Sequence, residues 1–132
     1  MRSRILVLSG CRDDARLLSQ MLHGMPFLIE EAADVRQARA KLQQDDYQSI
    51  LTEAALPDGN WLDVLHLVRA CPYHAEVVIT SPQADSALWA EALNVGIYDV
   101  LAQPYYAPEV RRIVANACRH RHHWERTMAA GG

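Results

Sequence analysis

Short apolar runs alternate with longer amphipathic stretches along the whole chain. Arg4–Leu8 (RILVL) is apolar after its arginine, the mark of a strand covered on both faces. Leu17, Leu18, Met21 and Leu22 recur at helical spacing between Asp13 and His23, with Asp13 or Asp14 as candidate cap. FLIEEA (Phe27–Ala32) predicts a second, weaker strand. Asp34 then caps a helix, VRQARAKLQQ, with Val35, Ala38 and Leu42 on one face. YQSILTE (Tyr47–Glu53) predicts a third strand, and Pro57-Asp58-Gly59-Asn60 a turn. Leu62, Leu65 and Val68 mark a helix that stops before Pro72. EVVIT (Glu76–Thr80) and YDVLA (Tyr98–Ala102) predict the last two strands. Between them Ser86–Val95 predicts a helix closed by Gly96, and Pro108 opens the final helix.

Five strand–helix units in strict alternation predict an α/β fold: a doubly wound parallel sheet with helices on both faces. Ligands of such sheets sit at the carboxyl ends of the strands. That rule singles out Ser9, Gly10 and Cys11 after the first strand, Glu53 after the third, Ser81 after the fourth and Gln103 after the fifth.

Composition narrows the reading. A chain of 132 residues suits one compact domain. Net charge is −3, so no global basic field draws the domain to nucleic acid or an anionic membrane. No apolar run approaches the roughly 20 residues that span a bilayer. The apolar part of MRSRILVLSGCRDD is too short for a secretory signal. Three cysteines (Cys11, Cys71 and Cys118) form no even-numbered framework, which points to free thiols and a cytoplasmic protein.

The order of elements, together with ILTEAALPDGNWLDVL and NVGIYDVLAQPY, resembles the receiver domain of bacterial two-component response regulators over about residues 4 to 117. The resemblance implies a flavodoxin-like five-stranded sheet of order 2-1-3-4-5. In that family the first strand ends in an acidic pair that holds Mg²⁺, and the third in an aspartate that is phosphorylated. The fourth ends in Ser or Thr, and a lysine precedes the proline after the fifth. Here those positions fall on Ser9 and Gly10, Glu53, Ser81 and Gln103, and the aromatic that switches position falls on Val100. Only the hydroxyl matches.

Phosphoryl transfer needs an in-line nucleophile and cations to neutralise the transferring oxygens. Mg²⁺ wants near-octahedral oxygen geometry with one or two carboxylates. Glu53 carries its carboxylate one methylene, roughly 1.5 Å, beyond an aspartate's. The expectation is a degenerate receiver, no enzyme, without cofactor or metal, acting as a protein-interaction and dimerisation module independent of phosphorylation. Glu53 either accepts hydrogen bonds from Ser9, Ser81, Gln103 or nearby backbone, or imitates a phosphorylated aspartate through Ser81. Two alternatives remain: a receiver phosphorylated on Glu53 or on a displaced aspartate, and a small-ligand or redox sensor using the emptied pocket around Ser9, Gly10, Cys11 and Ser81. Asp13 and Asp14, three or more residues past the strand end, fit helix capping better than replacement metal ligands.

His120, His122 and His123 invite a metal reading, but no further ligands stand at fixed spacing, so a solvated basic helix end fits them better. Trp61 and Trp89 read as packing residues, and Trp61 stands where it can also cover part of the pocket mouth. Val110, Val114, Ala117, Arg121, Trp124 and Met128 form a seam that runs past the expected end of the domain. The division predicted is a receiver-like body over 1–118 and a helical extension over 119–132. Trp89, Val100, Tyr105, Val110, Val114 and Trp124 are the candidate interaction surface, with an output domain, a signalling protein or a second copy as partner.

Overall fold

A computed structural model of the chain describes residues 3–82 and 85–131, with side chains as far as Arg121. The strands are β1 (Ser3–Leu8), β2 (Phe27–Ala32), β3 (Ser49–Glu53), β4 (Ala55–Leu56), β5 (Gly59–Asn60), β6 (Glu76–Ser81) and β7 (Asp99–Ala102). The helices are α1 (Arg12–Met21), α2 (Val35–Gln44), α3 (Trp61–Arg69), α4 (Ser86–Asn94) and α5 (Ala107–Gly131). Five strands form a parallel sheet in the order β2-β1-β3-β6-β7, the doubly wound topology expected.

Strand alternation divides the core in two. Leu6, Leu8, Ile50, Val77, Ile79 and Val100 face α2, α3 and α4, and are covered by Leu42, Trp61, Val64, Leu65 and Ala92. Ile5, Val7, Leu51, Val78 and Leu101 face α1 and α5, and are covered by Leu18, Val110, Ile113, Val114 and Ala117. Both faces of each central strand are therefore apolar, which is why the strands read as continuous hydrophobic runs. Burial pushes the Cys118 thiol up to about 11, so this cysteine is protonated at neutral pH and serves as packing.

Two local expectations are corrected. Helix α1 begins at Arg12 with Cys11 in the N-cap position and no side-chain cap, so Asp13 and Asp14 lie inside the first turn. There they favour the helix dipole without capping it. The predicted turn after β3 is a small antiparallel hairpin, in which Ala55 and Leu56 of β4 pair with Asn60 and Gly59 of β5. Asn60 ends the hairpin and caps α3: its side chain accepts from the Leu62 and Asp63 amides, and the Asp63 carboxylate accepts from the Asn60 backbone N–H. A Cβ at Gly59 would crowd Asp63 Oδ2 and lie 3.0 Å from Val35 Cγ2, so a side chain there would have to displace the capping carboxylate.

Asp34 caps α2 as predicted, accepting from the Gln37 amide at 2.8 Å. A second acid joins it from the hairpin: Asp58 accepts from the Val35 amide at 2.8 Å and the Arg36 amide at 3.1 Å. Those amides are among the unsatisfied donors of a helix start, so Asp58 pins the hairpin to α2. The Val35 hydrogen bond, first among several, holds the Asp58 carboxyl below its usual pKa.

A folded pKa below the unfolded one means a contribution present above about pH 4 and lost as pH falls through the folded value. Asp58→Asn is expected to flatten the acid limb of the stability curve below about pH 5 and to leave its shape near neutrality unchanged. Urea melts at a series of pH values check this; an unaltered acid limb would show that the Asp58 contact does not contribute.

Candidate functional site

The carboxyl edge of the sheet brings together the ends of β1, β3, β6 and β7. Glu53 closes β3, where side chains of its parity, with Leu51, face α1 and α5. It is partly exposed, and its Oε1 accepts the Gly10 backbone N–H at 2.7 Å. That distance is typical of a charge-assisted bond. The longer arm of glutamate thus reaches across the sheet edge and ties β3 to the loop after β1.

Two neighbouring groups bond elsewhere than to Glu53. Ser9 Oγ donates to the Cys11 carbonyl at 2.9 Å and accepts the Cys11 N–H at 3.1 Å, a closed turn within its own loop. Gln103, before a cis Pro104, donates through Nε2 to the Tyr105 hydroxyl at 2.9 Å. Burial raises the Tyr105 phenol above its usual pKa. Its hydrogen bond to Gln103 works against the burial, and the charges of Asp14 and Glu53 reinforce it. Tyr105 is therefore a neutral phenol lying between α1 and the end of β3.

The hydroxyl that shares the Glu53 face is Thr80. The two residues are register partners, and Thr80 has the parity of Val78, which faces α1 and α5. Thr80 is buried, with Oγ1 beside the Tyr105 phenol but short of regular hydrogen-bond geometry. Ser81, singled out from the sequence, has the parity of Ile79 and turns toward the opposite face. Sequence reasoning missed Thr80 because either hydroxyl of Ile79-Thr80-Ser81 can end a strand, and only the register chooses. It also missed Tyr105 as a member of the pocket.

Mg²⁺ does not fit this donor set. One carboxylate stands at the edge, its Oε1 engaged by a backbone amide, and the positions of the acidic pair offer a hydroxyl bonded within its loop and no side chain. A Cβ at Gly10 would lie 3.1 Å from Pro57 Cδ, so an acid there presses on the hairpin. The chain's single lysine, Lys41, is on α2 and pairs with Glu30 at 3.4 Å. Among the described residues no group of three or more His, Cys, Asp or Glu is placed to hold a metal. The cleft of about 320 Å³ that includes Ser9 and Gly10 is lined by Arg12, Glu31 and Gln37 rather than by Glu53.

The other predicted residues divide sharply. Val100, Val110 and Val114 are buried in the core and present no surface, a correction to the predicted interaction patch. Their spacing is that of an inward helix or strand face, which sequence alone does not distinguish from an outward one. Trp61 is buried under α3 on the far side of the sheet from Glu53, so it packs and covers no pocket. Trp89 is 38% exposed and Leu93, four residues on, 45% exposed, so α4 shows an apolar strip. Tyr106 is 66% exposed at the entry to α5. His120 accompanies His74 on the Glu76 carboxylate. The side chains of Trp124, His122 and His123 lie outside the described residues.

The response regulator receiver domain model matches residues 5–115. The response regulator protein PilR of Pseudomonas aeruginosa is 27% identical over 118 residues, covering 89% of this chain and 26% of PilR. The transcriptional regulatory protein DpiA of Escherichia coli K12 is 32% identical over 73 residues, covering 55% of this chain and 32% of DpiA. The chain thus spans about a quarter to a third of these relatives. The signal receiver domain of a putative Luxo repressor protein from Vibrio parahaemolyticus superposes with a TM-score of 0.89 at 22% identity, covering 96% of this chain and 98% of that one. The receiver domain of an HD domain-containing protein from Pseudomonas fluorescens Pf-5 gives 0.83 at 25% identity, covering 92% and 98%. The chain belongs to the response regulator receiver domain family.

The Glu53 bond makes an ordered prediction. Glu53→Gln keeps an oxygen that accepts the Gly10 N–H, whereas Glu53→Asp falls roughly 1.5 Å short and Glu53→Ala removes the acceptor. Glu53→Gln is expected to stay within about 1 kcal/mol of the parent, and the Asp and Ala variants to lose about 1–2 kcal/mol. Urea melts and hydrogen exchange at Gly10 check the order. Equal losses for Gln and Ala would remove the bond from the account.

Proposed function

We propose that this chain is an atypical receiver that works independently of phosphorylation, as a protein-interaction and dimerisation module of a longer cytoplasmic regulator of transcription. The observation that carries this reading is the 2.7 Å bond from the Gly10 amide to Glu53 Oε1. An oxygen held by a backbone amide is poorly suited to phosphoryl transfer, in which the acceptor needs a metal and a free trajectory. The neutral Gln103, bonded to Tyr105 in place of a lysine, supports it further. Such an edge is suited to holding one conformation, and its products are surfaces, not a transferred group. Imitation of a phosphorylated aspartate through Ser81 has no support, since Ser81 faces away from Glu53.

The surface proposed is the apolar strip of α4, Trp89 and Leu93, with Tyr105 and Tyr106 near the start of α5. Its partner is a second copy of the chain, an output domain or another signalling protein. The proposal includes no catalysis and no nucleic-acid contact by this domain. The division proposed is a receiver-like body over 1–118 and a helical extension over 119–132, with the buried Arg121 packing the start of the extension against the body.

Two experiments test the reading. Titration with Mg²⁺ and beryllofluoride, followed by amide shifts near Glu53, is expected to give no saturable change. A saturable, Mg²⁺-dependent shift, or a phosphorylated side chain after incubation with a small-molecule phosphodonor, would end the case. Separately, Trp89→Ala is expected to weaken self-association or partner binding by about tenfold or more by sedimentation, as an aromatic anchor should. An unchanged constant would move the interface elsewhere.

A further inference from the structure

Helix α5 runs for 25 residues, and two consecutive side chains, His120 and Arg121, make polar contacts with the body. Arg121 is 3% exposed and donates from Nη2 to both carboxylate oxygens of Asp46, at 2.9 and 3.0 Å. His120 Nδ1 lies 3.1 Å from Glu76 Oε1, and its ring packs at 5.5 Å against Tyr98. Glu76 is itself buried at the start of β6, and His74 holds the same carboxylate oxygen.

Consecutive residues of an α-helix point about 100° apart around its axis. Asp46 belongs to the connection between α2 and β3, whereas Glu76 and Tyr98 belong to β6 and the connection before β7. The two grips therefore engage different elements in different directions. The apolar face of α5 seats the helix on the body, and two polar contacts about a quarter-turn apart hold its far end against swinging to either side. Above them Val114, Ala117 and Cys118 supply the apolar seat. Both grips involve charged or ionisable groups with little exposure on one side (Arg121 and Glu76), so each pair replaces water that its partner lost on burial.

We propose that the Arg121–Asp46 and His120–Glu76 contacts form a rotational lock, so that the part of α5 beyond Arg121 is a rigid lever and not a flexible tether. The helix continues for ten further residues, about 15 Å at 1.5 Å per residue. A small change in the seat of α5 is then carried to the end of that arm with its direction preserved. The proposal does not depend on how the opposite edge of the sheet is used.

Backbone ¹⁵N relaxation on the whole chain tests it. In the parent the amides of residues 122–126 are expected to keep order parameters of about 0.85, as in the sheet. The double variant Asp46→Asn, Glu76→Gln is expected to bring them below about 0.6 while helical Cα shifts persist, because the arm then swings as an intact helix. Parent values already below about 0.6, or values unchanged in the double variant, overturn the lock. Loss of helical shifts together with order overturns it too, since the contacts then stabilise the helix instead of its heading. Should the double variant not fold, Asp46→Asn alone is read by the same criteria, Asp46 being half-exposed.

Discussion

A carboxylate at the edge of a parallel sheet must find either a cation or hydrogen-bond donors, and this chain has settled on a donor. The Gly10 amide is available because the loop after β1 carries no side chain at that position, and glutamate reaches it because it is one methylene longer than aspartate. The other choices follow from that pairing. Ser9 closes its own turn, and Gln103 bonds the Tyr105 phenol. The edge sets mostly neutral and backbone groups around the Glu53 carboxylate, with the buried Thr80 hydroxyl left short of a regular hydrogen bond.

The hairpin after β3 gives this edge its frame. Asp58 joins it to the start of α2, Asn60 and Asp63 join it to α3, and Pro57 lies against Gly10. One short segment therefore positions two helices and the loop after β1. In physical terms the hairpin converts local turn chemistry into tertiary order: its polar side chains satisfy helix-start amides that would otherwise need water.

Much of this was legible in the sequence. Apolar runs such as Ile5–Leu8 and Val77–Ile79 announced strands covered on both sides, and the strand-end rule pointed to Ser9, Gly10, Glu53 and Gln103. The remainder depended on information that one chain's pattern does not hold. Choosing Thr80 over Ser81 takes the register of β6 against β3. Recognising Asp58 as a cap for α2 takes a contact across 23 residues. The seam Val110–Val114 pointed inward, toward Leu51 and Val78, although its spacing suited a partner helix equally well. Arg121, read as part of that seam, proved buried through its ion pair with Asp46.

The fit between Gly10 and Pro57 carries a consequence for the accessible paths of change. A single acid introduced at residue 10 meets the proline ring before it meets any ion, and a lone aspartate at 53 abandons the amide without gaining a metal. A lone lysine at 103 gives up the bond to the phenol and sets a charge among the Glu53 and Asp14 carboxylates that act on that phenol. Each of these positions is thus tied to a neighbour, and an exchange at one disturbs a partner already in place at another.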